Sequence, residues 1–228
     1  MDSKIGIMGK SAVIICNGEF PAKEYPRYII RNADIIVCCD GAFDRYLRHC
    51  DSIFGKTRLP DAVIGDMDSI SKRKRERYGS IMVHVSDQDT NDQTKAFNHI
   101  LERWPDVSEI HITGATGIRT DHTIGNISLL MEYARTYDLE SKGITVDIIS
   151  DCETIFPVTD TIELMCGTGR RISVMTPDST LRIHSEGLVW PLDDVVFDNW
   201  WKATLNRAGE DRVKLVFNHR SIALVIMD

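Results

Sequence analysis

IMVHVSDQDTNDQTKAFNHILERWP, residues 81–105, decides the fold. Its first five residues, Ile81 to Val85, are a short apolar run that reads as a strand buried on both faces. The pattern then changes period. Thr90 with Gln93 three residues on predicts a capping box with Thr90 as N-cap. Ala96, Phe97, Ile100, Leu101 and Trp104 recur at helical spacing, and Pro105 stops the helix. Strand, polar junction, helix is one βα unit. Asp87, Asp89 and Asp92 crowd its junction. Like charges this close repel, so the junction is either a solvated turn or a cation site.

The same alternation runs outward on both sides. Ala12 to Asn17, Asp34 to Cys39, Asp61 to Gly65, Glu109 to Gly114 and Thr145 to Ser150 are continuous runs rich in Ile and Val, with amphipathic stretches between them. Alternating β and α predicts a mostly parallel sheet with right-handed crossovers. After about Ser150 the character changes. TIELMC, RRISVMTP, TLRIHSEG, RVKLVFN and SIALVIMD are short, punctuated by Gly167, Gly169, Pro177, Gly187 and Gly209, and no helix separates them. The fold class expected is α/β: a mostly parallel α/β domain over 1–152, then an all-β sandwich domain over 153–228. There is no internal repeat or low-complexity tract.

Composition bounds the function. The 228 residues are 43% hydrophobic and 27% charged, an ordinary globular balance with length for a real core. A net charge of -7 argues against a nucleic-acid footprint. An acidic chain that binds a phosphate ester needs a cation between its carboxylates and the ligand. Cys16, Cys38, Cys39, Cys50, Cys152 and Cys166 form no C-x-x-C pair and read as reduced thiols. MDSKIGIMGKS at the start has no apolar h-region, and no run approaches the ~20 apolar residues of a membrane span. A soluble, cytoplasmic protein is expected.

The polar residues gather at the strand ends. Asp40 follows the second strand, Asp66 and Asp68 the third, the acidic run the fourth, and GATGIRTDH the fifth. In an open α/β sheet the ligand sits beyond those carboxyl ends. Asp66 and Asp68 stand at i and i+2, which in an extended segment aims both carboxylates one way, towards a shared hard cation such as Mg²⁺. The plain alternative is a solvated turn with Ser69 as helix N-cap. A calcium loop is rejected: Asp92 stands where glycine is needed and Asn98 where glutamate is. Gly114 and Gly117 let backbone N–H groups approach a phosphate at a helix N-terminus, and Arg119 offers a matching fork. A Walker A is absent, since Gly9-Lys10-Ser11 precedes a strand and has Lys4 at the first glycine. Lys95 lies one turn after Asp92 and aims at a phosphate or forms a surface ion pair. His122 is an acid–base or a structural histidine. Trp190, Trp200 and Trp201 are core, or stack on a flat or cationic ligand.

Taken in order, CCDGAFDRY, GDMDS, DQDTNDQTKAF and GATGIRTDHTIGN resemble the successive motifs of the thiamine pyrophosphokinase family, and GLVWPL with ATLN resembles its C-terminal pattern. The resemblance runs from about Ala12 to the C-terminus. It implies an α/β domain, a β-sandwich domain and a homodimer that turns ATP and thiamine into thiamine diphosphate and AMP with Mg²⁺. Carried over by position, it implies a metal and nucleotide cluster of Asp40, Asp66, Asp68, Asp89 and Asp92, with Gly41 beside it. It implies phosphate and nucleotide contacts from Lys95, Gly114, Gly117, Arg119, Asp121, His122 and Asn126, and thiamine contacts from Trp190 and Asn206 where two subunits meet. The residues expected to carry catalysis are Asp66, Asp68, Asp92, Lys95 and Arg119. Ala42 departs from the family's second glycine, and Ala203 and Leu205 replace hydroxyls in the tail. Another acceptor alcohol, or a non-catalytic nucleotide or thiamine sensor on the same fold, are the competing readings.

Overall fold

The structure, a computed structural model, describes residues 9–87 and 89–228. Most of the N-terminal stretch read for targeting, with Lys4, and Gln88 of the acidic run lie outside the described residues. The chain forms two compact units: residues up to Asn126 with Glu140–Asp151, and Ile127–Leu139 with Cys152–Asp228.

The first unit is built on six parallel strands: β1 (Lys10–Ile15), β2 (Ile35–Cys39), β3 (Ala62–Gly65), β4 (Met82–His84), β5 (Val107–Thr113) and β6 (Thr145–Ile149). Their order is β6-β5-β1-β2-β3-β4. Helices α1 (Glu24–Asn32), α2 (Phe43–Phe54), α3 (Lys72–Arg77) and α4 (Asp92–Arg103) fill the crossovers, and α5 (Thr120–Thr136) follows β5. The continuous apolar runs are explained by position: β2 is buried along its whole length, and Ala12 to Ile15 of β1 are fully enclosed. One strand departs from expectation. β4 is three residues long and partly exposed, because among the described residues it pairs only with β3, at the edge of the sheet.

The second unit is antiparallel. One sheet runs β11 (Ala203–Arg207), β9 (Arg171–Met175), β13 (Ala223–Met227), β7 (Thr154–Val158). The other runs β10 (Ile183–Glu186), β12 (Arg212–Phe217), β8 (Ile162–Met165). Inward residues of both sheets, among them Ile172, Val174, Ile183, Val213, Leu215 and Val225, make one core, the packing of a sandwich. Strands β7 and β11 are additions to the sequence reading.

Candidate active site

The strand order fixes where a ligand can sit. The chain moves from β1 outward to β4, then returns to place β5 on the other side of β1. The crevice beyond the carboxyl ends of β1 and β5 is therefore the switch point of the sheet, the place where such folds bind ligands. The loops that leave the two strands meet there, backbone on backbone. Gly18 donates its N–H to the Gly114 carbonyl at 2.6 Å. Gly114 has φ +67°, and a Cβ on it would come 2.5 Å from the Cys16 carbonyl oxygen, so only glycine fits. The result is a cavity of about 350 Å³. Its lining comes from the ends of β1 (Cys16, Asn17, Gly18) and β2 (Cys39, Asp40, Gly41), from Ser69, from the first residues of α4, and from the β5–α5 loop and the start of α5.

Asp40 is the buried acid of this cavity, 5% exposed, in the 3-10 turn that follows β2. Its carboxyl lies on Gly65: a Cβ there would be 2.5 Å from Asp40 Cγ. Among the described residues Oδ2 has no hydrogen-bond partner. Burial, and then the nearby Asp92 and Asp66 carboxylates, push the Asp40 carboxyl above its ordinary range, against the backbone N–H groups of Gly41 and Met67. Asp92 opens α4 and is half-buried, and Lys95 one turn later places Nζ 3.3 Å from its Oδ1. The Lys95 side chain is only 6% exposed, so the surface-pair alternative is excluded.

The start of α4 corrects the expected cap. Asn91, not Thr90, is the N-cap, and its side chain accepts the Thr94 N–H at 2.9 Å. Gln93 does not close a capping box. It is 2% exposed, its Oε1 accepts from Cys16 Sγ, and its Nε2 donates to the Asn126 carbonyl at 3.2 Å. Asp87 makes the turn itself: it accepts the Asp89 N–H at 3.0 Å and the Thr90 hydroxyl at 2.6 Å, which holds its carboxyl below the usual range. Asp89 is exposed beside it.

The extended reading of Asp66 to Asp68 fails at Met67. That residue has φ +66°, which folds the segment so that Asp66 Oδ1 accepts the Asp68 N–H at 3.0 Å. Asp68 ends up exposed, and Ser69 lines the cavity rather than capping α3, whose N-cap is Ser71. Among the described residues, no three acidic, histidine or cysteine side chains converge closely enough to hold a metal ion.

On the opposite wall, Gly117 has φ +79°, and Arg119 lines the cavity while forming a forked pair with Asp121, at 2.5 and 3.1 Å. That hydrogen-bonded guanidinium, with the His122 N–H, brings the Asp121 carboxyl down to about 2. His122 also lines the cavity. Asn126 ties the walls together, donating to the Ala115 carbonyl at 2.8 Å and accepting from Asn91 at 3.1 Å. Of the expected residues, Asp40, Gly41, Asp92, Gly117, Arg119, His122 and Asn126 line the one cavity. Asp66, Asp68, Asp89, Lys95, Gly114 and Asp121 are not part of its lining.

Trp190 and Asn206 belong to the second unit. Asn206 is 5% exposed and clamps the Trp190 backbone, donating to its carbonyl at 2.7 Å and accepting its N–H at 3.2 Å. Trp190 itself is 56% exposed, beside a cavity of about 250 Å³ that also takes in Lys202, Thr204 and Leu205.

Two family models divide the chain between them: thiamin pyrophosphokinase, catalytic domain, over residues 26–142, and thiamin pyrophosphokinase, substrate-binding domain, over 154–223. The chain belongs to the thiamin pyrophosphokinase family. It is 29% identical over 161 residues to thiamine pyrophosphokinase 1 of Oryza sativa subsp. japonica, covering 64% of this chain and 57% of that protein. It is 37% identical over 82 residues to thiamine pyrophosphokinase of Bacillus subtilis, 34% of this chain and 37% of that one. The matched segments thus span about half or less of these relatives' length. In structure, the Bacillus subtilis enzyme superposes with a TM-score of 0.73 at 21% identity over 96% of this chain and 99% of that one. The yeast enzyme does so with 0.74 at 18% identity, over 96% and 87%.

The departures from the thiamin pyrophosphokinase pattern fall differently. Ala42 is 1% exposed with ordinary helical φ and ψ, and is not part of the cavity lining, so a methyl group is accommodated. Leu205 is 83% exposed with φ +61°, an uncommon conformation for a branched residue. Cys16, Asn17, Gly18 and Gln93 are lining residues that the sequence reading did not place in the site. The C-N-G ending of the first strand was the available signal for three of them.

Proposed function

We propose that this chain is a thiamine diphosphokinase that moves the pyrophosphoryl group of Mg-ATP to the hydroxyl of thiamine, releasing AMP. The observation that carries this is one cavity at the β1–β5 switch point with a buried acid, Asp40, on one wall and a glycine loop with Arg119 on the other. The family membership supplies the substrates.

Pyrophosphoryl transfer asks little covalent chemistry of a protein; it asks for alignment and charge neutralisation. The acceptor hydroxyl attacks the β-phosphorus in line, and AMP leaves. Gly114 and Gly117 bring backbone close to the phosphates, and the N-terminus of α5 favours their charge. Lys95 and Arg119 absorb charge as it develops. Arg119 must first exchange Asp121 for phosphate oxygens. Asp92 or Asp68 orients the hydroxyl and takes its proton.

Carboxylate oxygens are the donors a hard cation takes, although among the described residues no three of these side chains converge on one point. Asp40 holds an unpartnered buried oxygen and is repelled by Asp92 and Asp66, a conflict that a divalent ion relieves. Asp40, Asp66 and Asp92 would hold Mg²⁺ with Asp68 and Asp89 from the adjoining turns. Once bound, Mg²⁺ supplies neutralisation of phosphate charge. Trp190 and Asn206 would hold thiamine at the interface of a homodimer, a reading supported by exposed Val189, Trp190 and Leu205 on the second unit. Among the described residues no helix is long and apolar enough to cross a membrane, and with six free thiols a cytoplasmic location follows as part of the proposal.

The test is AMP release from Mg-ATP with and without thiamine. Thiamine-dependent AMP without ADP is expected. ADP, or AMP that appears only with another alcohol, would overturn the assignment.

A further inference from the structure

Two thiols form part of the cavity floor. Cys16 follows β1 and Cys39 ends β2, and each stands one residue beyond the parallel pair Ile15–Cys38. Neighbouring strands lie about 4.8 Å apart, inside the Cα separation of roughly 4.4–6.8 Å that a disulfide spans. The two sulfurs are already 3.9 Å apart, Cys39 donating to Cys16, and both thiols are free. Cys38, next along β2, turns to the other face, where Cys50 of α2 is its neighbour. The cavity-facing pair is therefore Cys16 with Cys39, and both line a space wide enough for a small oxidant.

We propose that Cys16 and Cys39 are an oxidisable pair whose disulfide distorts the cavity and shuts out its nucleotide. The proposal rests on reading that cavity as the nucleotide site. The oxidant is a small peroxide. One sulfur bonds to a peroxide oxygen, the O–O bond breaks and water leaves, giving a sulfenic acid. The second sulfur displaces that oxygen, which leaves as a second water with the second thiol's proton. Two thiols and one peroxide become a disulfide and two waters, with two electrons passing to the peroxide.

Bond formation brings the sulfurs from 3.9 Å to about 2.05 Å. Asn17 and Asp40 are the next residues along the two strands and both line the cavity. The Cys16 hydrogen bond to Gln93 is lost as well, and Gln93 in turn holds the Asn126 carbonyl. Shifting two lining residues and breaking that hydrogen bond should weaken binding at least about tenfold.

The experiment treats the reduced full chain with hydrogen peroxide, with and without Mg-ATP. Non-reducing peptide mapping then locates the link, and calorimetry measures Mg-ATP affinity. The expected result is a Cys16–Cys39 linked peptide, formed more slowly when ATP is present, with affinity at least tenfold lower and restored by dithiothreitol. Cys39→Ser should abolish that link. A link only between Cys38 and Cys50, or a Cys16–Cys39 link that leaves affinity unchanged, would overturn the proposal. If the link forms but the reduced chain binds no Mg-ATP, the nucleotide reading of the cavity is at fault, not the thiol pair.

Discussion

Replacing Gly65 by alanine probes the placement of Asp40 without touching any charge. A Cβ at residue 65 would stand 2.5 Å from Asp40 Cγ, 2.7 Å from Oδ2 and 2.9 Å from Cβ. Ordinary contact begins near 3.4 Å, so the carboxyl must retreat by roughly 1 Å. It cannot swing freely, because the residue is 5% exposed and its Cβ is itself too close. Overpacking of this kind costs about 1–3 kcal/mol, offset by about 0.4–1 kcal/mol from the stiffer unfolded chain. The net expectation is a loss of about 1–2 kcal/mol by urea denaturation, with unchanged m-value. Turnover should fall further than stability, by about 100-fold. Asp40→Ala in the same chain removes two of the three clashes, so the pair should show a coupling of about 1 kcal/mol. Gly79→Ala, where nothing lies within 4 Å, is the control and should show only the gain of about 0.4–1 kcal/mol from the stiffer unfolded chain, with unchanged turnover. A Gly65→Ala protein with the stability and AMP release of the parent would refute the claim that Asp40 is pinned in a working position.

Asp92→Asn should destabilise more than Lys95→Met, because it takes the carboxylate from an ammonium whose side chain is 6% exposed, while its own partner is 38% exposed. Thermal unfolding ranks the two, and both should lose at least 100-fold in turnover. Asp40→Asn should stabilise the fold at neutral pH. A carboxyl whose folded value lies above its unfolded one, near 3.8, takes up protons on folding, so its cost is full above the folded value and vanishes below the unfolded one. The gain should shrink as pH falls towards 4, and a gain that grows on acidification would contradict the assignment. Asn206→Ala removes the clamp on the Trp190 backbone. About 2 kcal/mol of stability should be lost, and KM for thiamine should rise while KM for ATP holds; equal changes in both would place Trp190 outside the acceptor site.

The parallel half of the fold was legible because its strands are enclosed, and enclosure writes a continuous apolar run. β4 was legible as a strand but not as an edge, since nothing in Met82–His84 states that a neighbour is missing. β7 and β11 were hidden for local reasons. Pro157 sits inside the first, and the second is kinked by Leu205 at φ +61°, where its register against β9 shifts. In the site, the acids and glycines at strand ends pointed to the right crevice. Their geometry was less readable: Met67 in a left-handed conformation breaks the i, i+2 argument, and Asn91 takes a cap that Thr90 also fits. Gln93 was read as a capping side chain. Only the packing of α4 against the sheet reveals that it is buried between Cys16 and Asn126.

Asn126 holds three separate pieces of the cavity wall: the Ala115 carbonyl, the Asn91 side chain and, through its own carbonyl, Gln93. Every one of these bonds joins uncharged amides. The wall is thus framed by groups that neither protons nor salt can titrate, while the groups facing inward, Asp40, Asp92 and Arg119, are charged. Screening acts on charges and leaves hydrogen bonds between neutral amides nearly untouched. Ionic strength should therefore tune how strongly the cavity attracts an anionic ligand without altering the shape that receives it.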